Sequence, residues 1–233
     1  MTILLIETAT PRCSVALERD GAIICERHSD EPNAHSSILA VYIDELFTES
    51  GIKTDELDGV CVSSGPGSYT GLRIGVSTAK GFCYALEIPL LSVPTLHNMA
   101  TRYFDLHPDY EGLVCPMIDA RRMECYTAIY SREGLVRDTA AEVVEVGIYD
   151  KWLEQGKVAF IGDGAAKTTP LLSVNPNAVF DSTFTVDAEG MKKLAENKLR
   201  NGEKEDVAYF EPFYLKDFVA KKSIVHGLIK AEN

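Results

Sequence analysis

Apolar residues come in short blocks over the first thirty positions and then at helical spacing. Residues 3–6 are a four-residue aliphatic run that predicts a buried strand. Glu7 to Pro11 break it, and the alternation over 13–18 predicts a second strand. Asp20-Gly21 marks a hairpin, because Gly tolerates positive φ, and 23–27 return as a third strand. The spacing then changes. Residues 35–50 predict a helix that stops before Gly51, a residue type suited to a helix C-terminus. Its apolar positions are Ile38, Leu39, Val41, Tyr42, Ile43, Leu46 and Phe47. That arc is wider than one stripe, so the helix is either buried in the fold or half covered by a partner.

Residues 60–64 predict a strand, and a loop rich in Gly, Ser and Thr follows. Leu72, Val76, Ala79, Phe82, Cys83 and Leu86 then mark one face of a helix over 71–86. A short strand over 88–94 lies between prolines, and Thr95 opens a helix carrying Leu96, Met99, Ala100 and Tyr103. Residues 107–112 read as the first clear loop, which places a domain boundary near 101–112. The second half begins again with a strand over 113–119 that ends in an acid, a turn at 120–122, a strand over 125–130 and a hairpin signal at 131–134. Residues 158–161 with Gly162-Asp163-Gly164 predict a strand and turn, and 187–201 an amphipathic helix ending at Gly202. Each half thus has an acid-ended strand leading into a meander, which predicts a duplicated α/β architecture.

Charge narrows the function. The 233 residues carry 23 basic and 35 acidic side chains, a net charge of −12. A surface of that sign repels phosphate backbones, so the isolated chain is not expected to bind nucleic acid by itself. No run is long and apolar enough to span a bilayer, and the N-terminal run meets Glu7 without a basic leader region, so the expected location is cytoplasmic. The six cysteines form no CxxC pair and sit in apolar patterns, which predicts buried, reduced thiols.

The loop at 64–73 is the candidate for chemistry. A strand, a small-residue turn and a helix N-terminus bring backbone N–H groups together, a shape that suits an anion. The same shape also serves as a plain tight turn, and no Walker A lysine is present. Gly71, Gly75 and Gly81 lower the helix propensity and allow another backbone to approach.

The run Ser64-Gly65-Pro66-Gly67-Ser68-Tyr69-Thr70-Gly71-Leu72-Arg73, followed by Ala79-Lys80-Gly81, closely resembles the signature of the bacterial TsaB (YeaZ) family. Weaker similarity extends to Asp119-Ala120-Arg121, Gly162-Asp163-Gly164-Ala165 and 212–215. The resemblance implies an α/β fold of two actin/sugar-kinase-like (ASKHA) domains, each a mixed sheet with flanking helices. Domain limits of 1–105 plus 209–233 and of 106–208 follow from it. It implies a non-catalytic subunit that supports a TsaD-type catalytic subunit, with a TsaE-type ATPase joining them. The complex would form threonylcarbamoyladenosine at position 37 of tRNAs reading codons that begin with A. The chain alone would be a homodimer, touching tRNA only through the complex and no membrane.

For site residues the resemblance implies a partner interface at Leu39, Tyr42, Ile43, Leu46, Leu72, Gly75, Val76 and Ala79. It also implies weak nucleotide or phosphate contact at Glu7, Thr8, Ser64, Gly65, Gly67, Ser68, Tyr69, Thr70 and Arg73. From the residues alone, Glu7 and Thr8 read first as a turn-capping pair. No catalytic residue, metal or resident cofactor is expected, with ATP or ADP entering at the level of the complex. Catalytic relatives pair two histidines on the first helix, whereas here Leu39 stands four residues after His35. The competing reading is an ATP-dependent phosphotransferase or a metal peptidase, and neither constellation is legible.

Overall fold

The computed structural model describes residues 1–216. The expectations placed on residues 217–233 lie outside the described residues. The first half consists of β1 (Thr2–Glu7), β2 (Cys13–Arg19), β3 (Ala22–Ser29), α1 (His35–Ser50), β4 (Gly59–Gly65), α2 (Tyr69–Leu86), β5 (Leu90–Pro94) and α3 (Thr95–Leu106). The second contains β6 (Leu113–Asp119), β7 (Glu124–Ser131), β8 (Gly134–Val143), α4 (Asp150–Leu153), β9 (Val158–Ile161), α5 (Ala165–Leu172), β10 (Ala178–Asp181) and α6 (Lys192–Arg200).

The strands form two five-stranded sheets, ordered β3-β2-β1-β4-β5 and β8-β7-β6-β9-β10. In each, three antiparallel strands make a meander and two further strands add in parallel beside the first. The two halves therefore share one topology, as the repeated pattern predicted. Both faces of each sheet are covered. In β1, Leu4 and Ile6 join the core under α1 and α2, while Ile3 and Leu5 pack with Ala188, Met191 and Ala195 on the other side. This follows from the two-residue period of a strand, and it explains why β1 is apolar without a break.

Two helices link the halves. Leu96, Met99 and Tyr103 of α3 pack with Val114 and Ile118 of the second sheet. Ala195 of α6 packs against the first. α3 also meets the first sheet, through Asn98 to Glu7 of β1, so it joins the two halves, whereas α6 follows the strands of the second sheet and packs on the first. Residues 203–216 cross the first domain as a strap. Glu205 N–H donates to Leu90 O, Val207 and Phe210 join the core, and Lys80 Nζ donates to Ala208 O and Phe210 O.

The wide arc of α1 is resolved here. Leu39, Ile43 and Leu46 are buried inside the chain, and so are Leu72, Val76 and Ala79 of α2. Gly75 packs on Thr8. This corrects the expectation that these residues meet a partner. They are the more apolar face, and the first sheet covers it.

Candidate functional site

The cleft between the two sheets is built around the end of β4. Gly65 adopts φ of +106°, and the Gly65–Pro66 peptide is cis. Ser68 caps α2, its Oγ accepting from Gly71 N–H at 3.2 Å. Residues 8 and 9 lie directly on this turn. Ser68 N–H donates to Ala9 O at 2.6 Å. A Cβ on Gly67 would stand 2.3 Å from Ala9 O, and one on Gly71 2.1 Å from Thr8 O. One on Gly75 would stand 2.2 Å from Thr8 Oγ1. The glycines are needed because the chain's own residues 8 and 9 pack directly on the turn and the first turns of α2.

Glu7 and Thr8 are fully buried, which corrects their expected role as phosphate contacts. The Glu7 carboxylate accepts from Ala9 N–H and from Asn98 Nδ2, each at 2.8 Å. Burial raises its pKa to about 7. Asn98 Nδ2 also donates to Asp187 O, so Glu7 ties β1 to α3 and to the segment returning toward α6.

The open cleft has a volume of about 660 Å³. Gly67, Ser68, Tyr69 and Thr70 line it, while Glu7, Thr8, Ser64 and Gly65 do not. Arg73 is exposed and reaches the cleft through Tyr69, its guanidinium carbon 5.0 Å from the ring centroid. Sequence reasoning placed no residue of the second half or of the strap here, since only the tertiary fold brings them near. Asp119, Arg121, Tyr126 and Asp163 form the opposite wall, and Tyr214 and Lys216 close one end. Tyr69 and Tyr214 are 4.8 Å apart between ring centres. Lys167 Nζ donates to Asp119 Oδ1 at 2.5 Å and to Glu124 O at 2.6 Å. Asp163 accepts from Asp119 N–H at 2.9 Å, and burial pushes its pKa up.

Among the described residues no group of three or more His, Cys, Asp or Glu side chains is placed to hold a metal ion. His35 is buried, with Nε2 3.0 Å from Thr10 O. All six cysteines are buried and unbonded. Burial pushes Cys13, Cys83 and Cys125 up to about 11 and Cys115 up to about 12. No helix among the described residues is long and apolar enough to cross a membrane.

A second surface lies on the outer sides of α1 and α2. Ile38, Tyr42 and Ile74 are half-buried, Val41 is 52% exposed and Tyr84 82% exposed. Gly81 has open space where a side chain would stand. Of the expected interface residues only Tyr42 reaches this side.

A family model described as TsaD, tRNA N6-adenosine threonylcarbamoyltransferase, matches residues 29–224. A tRNA threonylcarbamoyladenosine biosynthesis protein TsaB from Escherichia coli is 31% identical over 231 residues, which is 96% of this chain and 98% of that protein. The protein of that name from Bacillus subtilis is 34% identical over 169 residues, 70% of this chain and 71% of the relative. The solved structure of YeaZ from Pseudomonas aeruginosa superposes with a TM-score of 0.81 at 27% identity, covering 92% of this chain and 99% of that one. An ADPNP-bound activator of 2-hydroxyisocaproyl-CoA dehydratase from Clostridium difficile reaches a TM-score of 0.51 at 9% identity over 87% of this chain and 97% of its own, a likeness of fold alone.

Proposed function

This chain belongs to the TsaB family of tRNA threonylcarbamoyladenosine biosynthesis proteins, and from that premise we propose that it is the non-catalytic subunit supporting a TsaD-type catalytic subunit. The complex forms threonylcarbamoyladenosine at position 37 of tRNAs reading codons that begin with A. The observation that carries the reading is the outer face of α1 and α2. Val41 and Tyr84 are exposed, and Ile38, Tyr42 and Ile74 pack against the rim of the first core while staying only half-buried, so the two helices leave apolar surface toward solvent. An apolar strip left toward solvent marks a protein contact. Open space at Gly81 would let a partner helix approach closely. The same strip serves a homodimer when the catalytic subunit is absent, and a TsaE-type ATPase joins the assembled pair.

A catalytic role finds little support in the cleft. The chain's own residues 8 and 9 crowd the glycine turn, and the Glu7 carboxylate is bound to Asn98 inside the fold. Nucleotide binding by this chain alone is accordingly weak, with ATP or ADP entering at the level of the complex.

The test is Val41→Glu combined with Ile74→Glu. Val41→Glu alone should leave circular dichroism and melting unchanged, since Val41 is exposed, whereas the double variant should stay folded but melt somewhat lower, because Ile74 packs against the rim of the core. Co-purification with the TsaD-type subunit and modification of tRNA by the reconstituted complex should both be lost. A folded variant that still binds and supports modification would remove this surface from consideration.

A further inference from the structure

The turn between β6 and β7 has an unusual composition. It is closed by Ala120 N–H to Glu124 O at 3.0 Å and by Glu124 N–H to Arg121 O at 3.1 Å. Arg121 and Arg122 hold φ of +73° and +52°, in the left-handed region that Gly and Asn normally occupy. Asp119 Oδ1 accepts from Arg121 N–H at 2.7 Å and helps to hold that shape. Both arginines are exposed, and neither guanidinium makes an ion pair among the described residues. Strained backbone at bulky residues concentrates where a side chain must be presented in a set direction.

Arg121 lines the cleft already described, and Arg122 follows it in the same turn. Arg121 and Tyr126 line one wall, and Tyr69 and Tyr214 stand with their rings paired on another side. Arg73 lies over Tyr69 and adds a third cation. The nearby acids are engaged: Asp119 by Lys167, Glu124 by Lys216 and Asp163 by Asp119 N–H. The turn therefore stands out as locally positive in a chain of net charge −12. Ala9 O and Ser68 Oγ take the N–H groups of Ser68 and Gly71, which leaves the α2 N-terminus fewer donors for a compact polyphosphate. What remains is an open groove with stacking rings inside and guanidinium groups at the rim. That composition suits single-stranded nucleic acid, whose bases stack on aromatic rings and whose phosphates meet arginine.

We propose that this cleft docks an unpaired segment of the substrate tRNA, with Arg121 and Arg122 holding its phosphates and Tyr214 stacking a base. The proposal rests on the chain's place in a tRNA-modifying complex. The rest of the acidic surface opposes RNA, so the contact works when the catalytic subunit holds the tRNA nearby.

The experiment uses the full chain bound to its TsaD-type subunit and a transcript of a tRNA reading codons that begin with A. Fluorescence anisotropy gives the apparent Kd across a range of KCl concentrations. Arg121→Glu with Arg122→Glu should weaken binding about tenfold or more and lower the salt slope by about one to two. Arg121→Lys with Arg122→Lys should retain most of the affinity, and Tyr214→Ala should weaken binding with the salt slope unchanged. Circular dichroism and light scattering confirm that each variant folds and assembles. Wild-type affinity and slope in the charge-reversed complex overturn the proposal. So does loss of ATP binding in that complex with RNA binding intact, which would make the cleft a mononucleotide site. If the unaltered pair does not assemble or modify tRNA, the functional reading itself fails. If it does and the variants bind tRNA normally, only the groove fails.

Discussion

Glu7 and Glu18 carry the pH dependence of this molecule. Both are fully buried, and burial raises each to about 7 from an ordinary value of 4.5. Glu196 lies beside Glu18 and adds to its rise. A raised carboxyl pKa means that the folded state holds a proton the unfolded chain releases. Their contribution is complete below about pH 4.5 and is lost as pH climbs through 7. For Glu7 the difference amounts to about 3 kcal/mol at most. Melting temperature should therefore fall by several degrees between pH 5 and 8.5, and Glu7→Gln with Glu18→Gln should flatten that fall. A melting temperature constant over this range would contradict the assignment. Asp20, Asp30 and Glu56 are lowered by partners, so their loss appears only in acid. The cysteines give a companion expectation. With thiols buried and raised, a water-soluble disulfide reagent should label none of them until denaturant is added.

At the scale of elements, α2 is shaped by its glycines unequally. Gly71→Ala drives a methyl group into the Thr8 carbonyl, which is backbone and cannot rotate away. Loss of about 1–3 kcal/mol or more is expected. Gly81→Ala meets nothing within 4 Å in a helix interior. It should raise stability by about 0.5–1 kcal/mol while weakening partner binding if the helix is approached there. Chemical denaturation of the two variants checks the opposite signs. The strap depends on Lys80, whose Nζ bonds two of its carbonyls. Lys80→Ala should leave the core intact yet speed proteolytic cleavage within 203–216, measured by limited digestion.

At the scale of the molecule, two sheets of one topology are joined by α3, while α6 returns to pack on the first. The cleft and the α1–α2 strip are separate surfaces, one lined by both halves and the strap, the other by the first half only. A homodimer using the strip must dissociate before the catalytic subunit binds. Light scattering of the chain titrated with that subunit should show the homodimer giving way to a mixed pair. A homodimer that persists beside the bound catalytic subunit would assign the two contacts to different surfaces.

The local pattern alone was enough for the strands β1 to β7 and β9, the helices α1 to α3 and α6, and the doubled topology. Alternation and three- to four-residue spacing are properties of neighbouring residues, so they survive in the linear chain. The four-residue elements β10 and α4 were not read because they are short, and β8 and α5 because they are mixed in polarity and partly exposed. The glycine-rich turn and its family signature were also legible, because tight backbone approach demands glycine whatever does the approaching. Which backbone approaches was settled by the tertiary structure: it is the chain's own Thr8 and Ala9, and not a ligand. Tertiary packing likewise chose which side of the broad apolar arc on α1 faces inward. Burial depends on contacts between residues far apart in sequence, and periodicity cannot encode which distant surface will supply them.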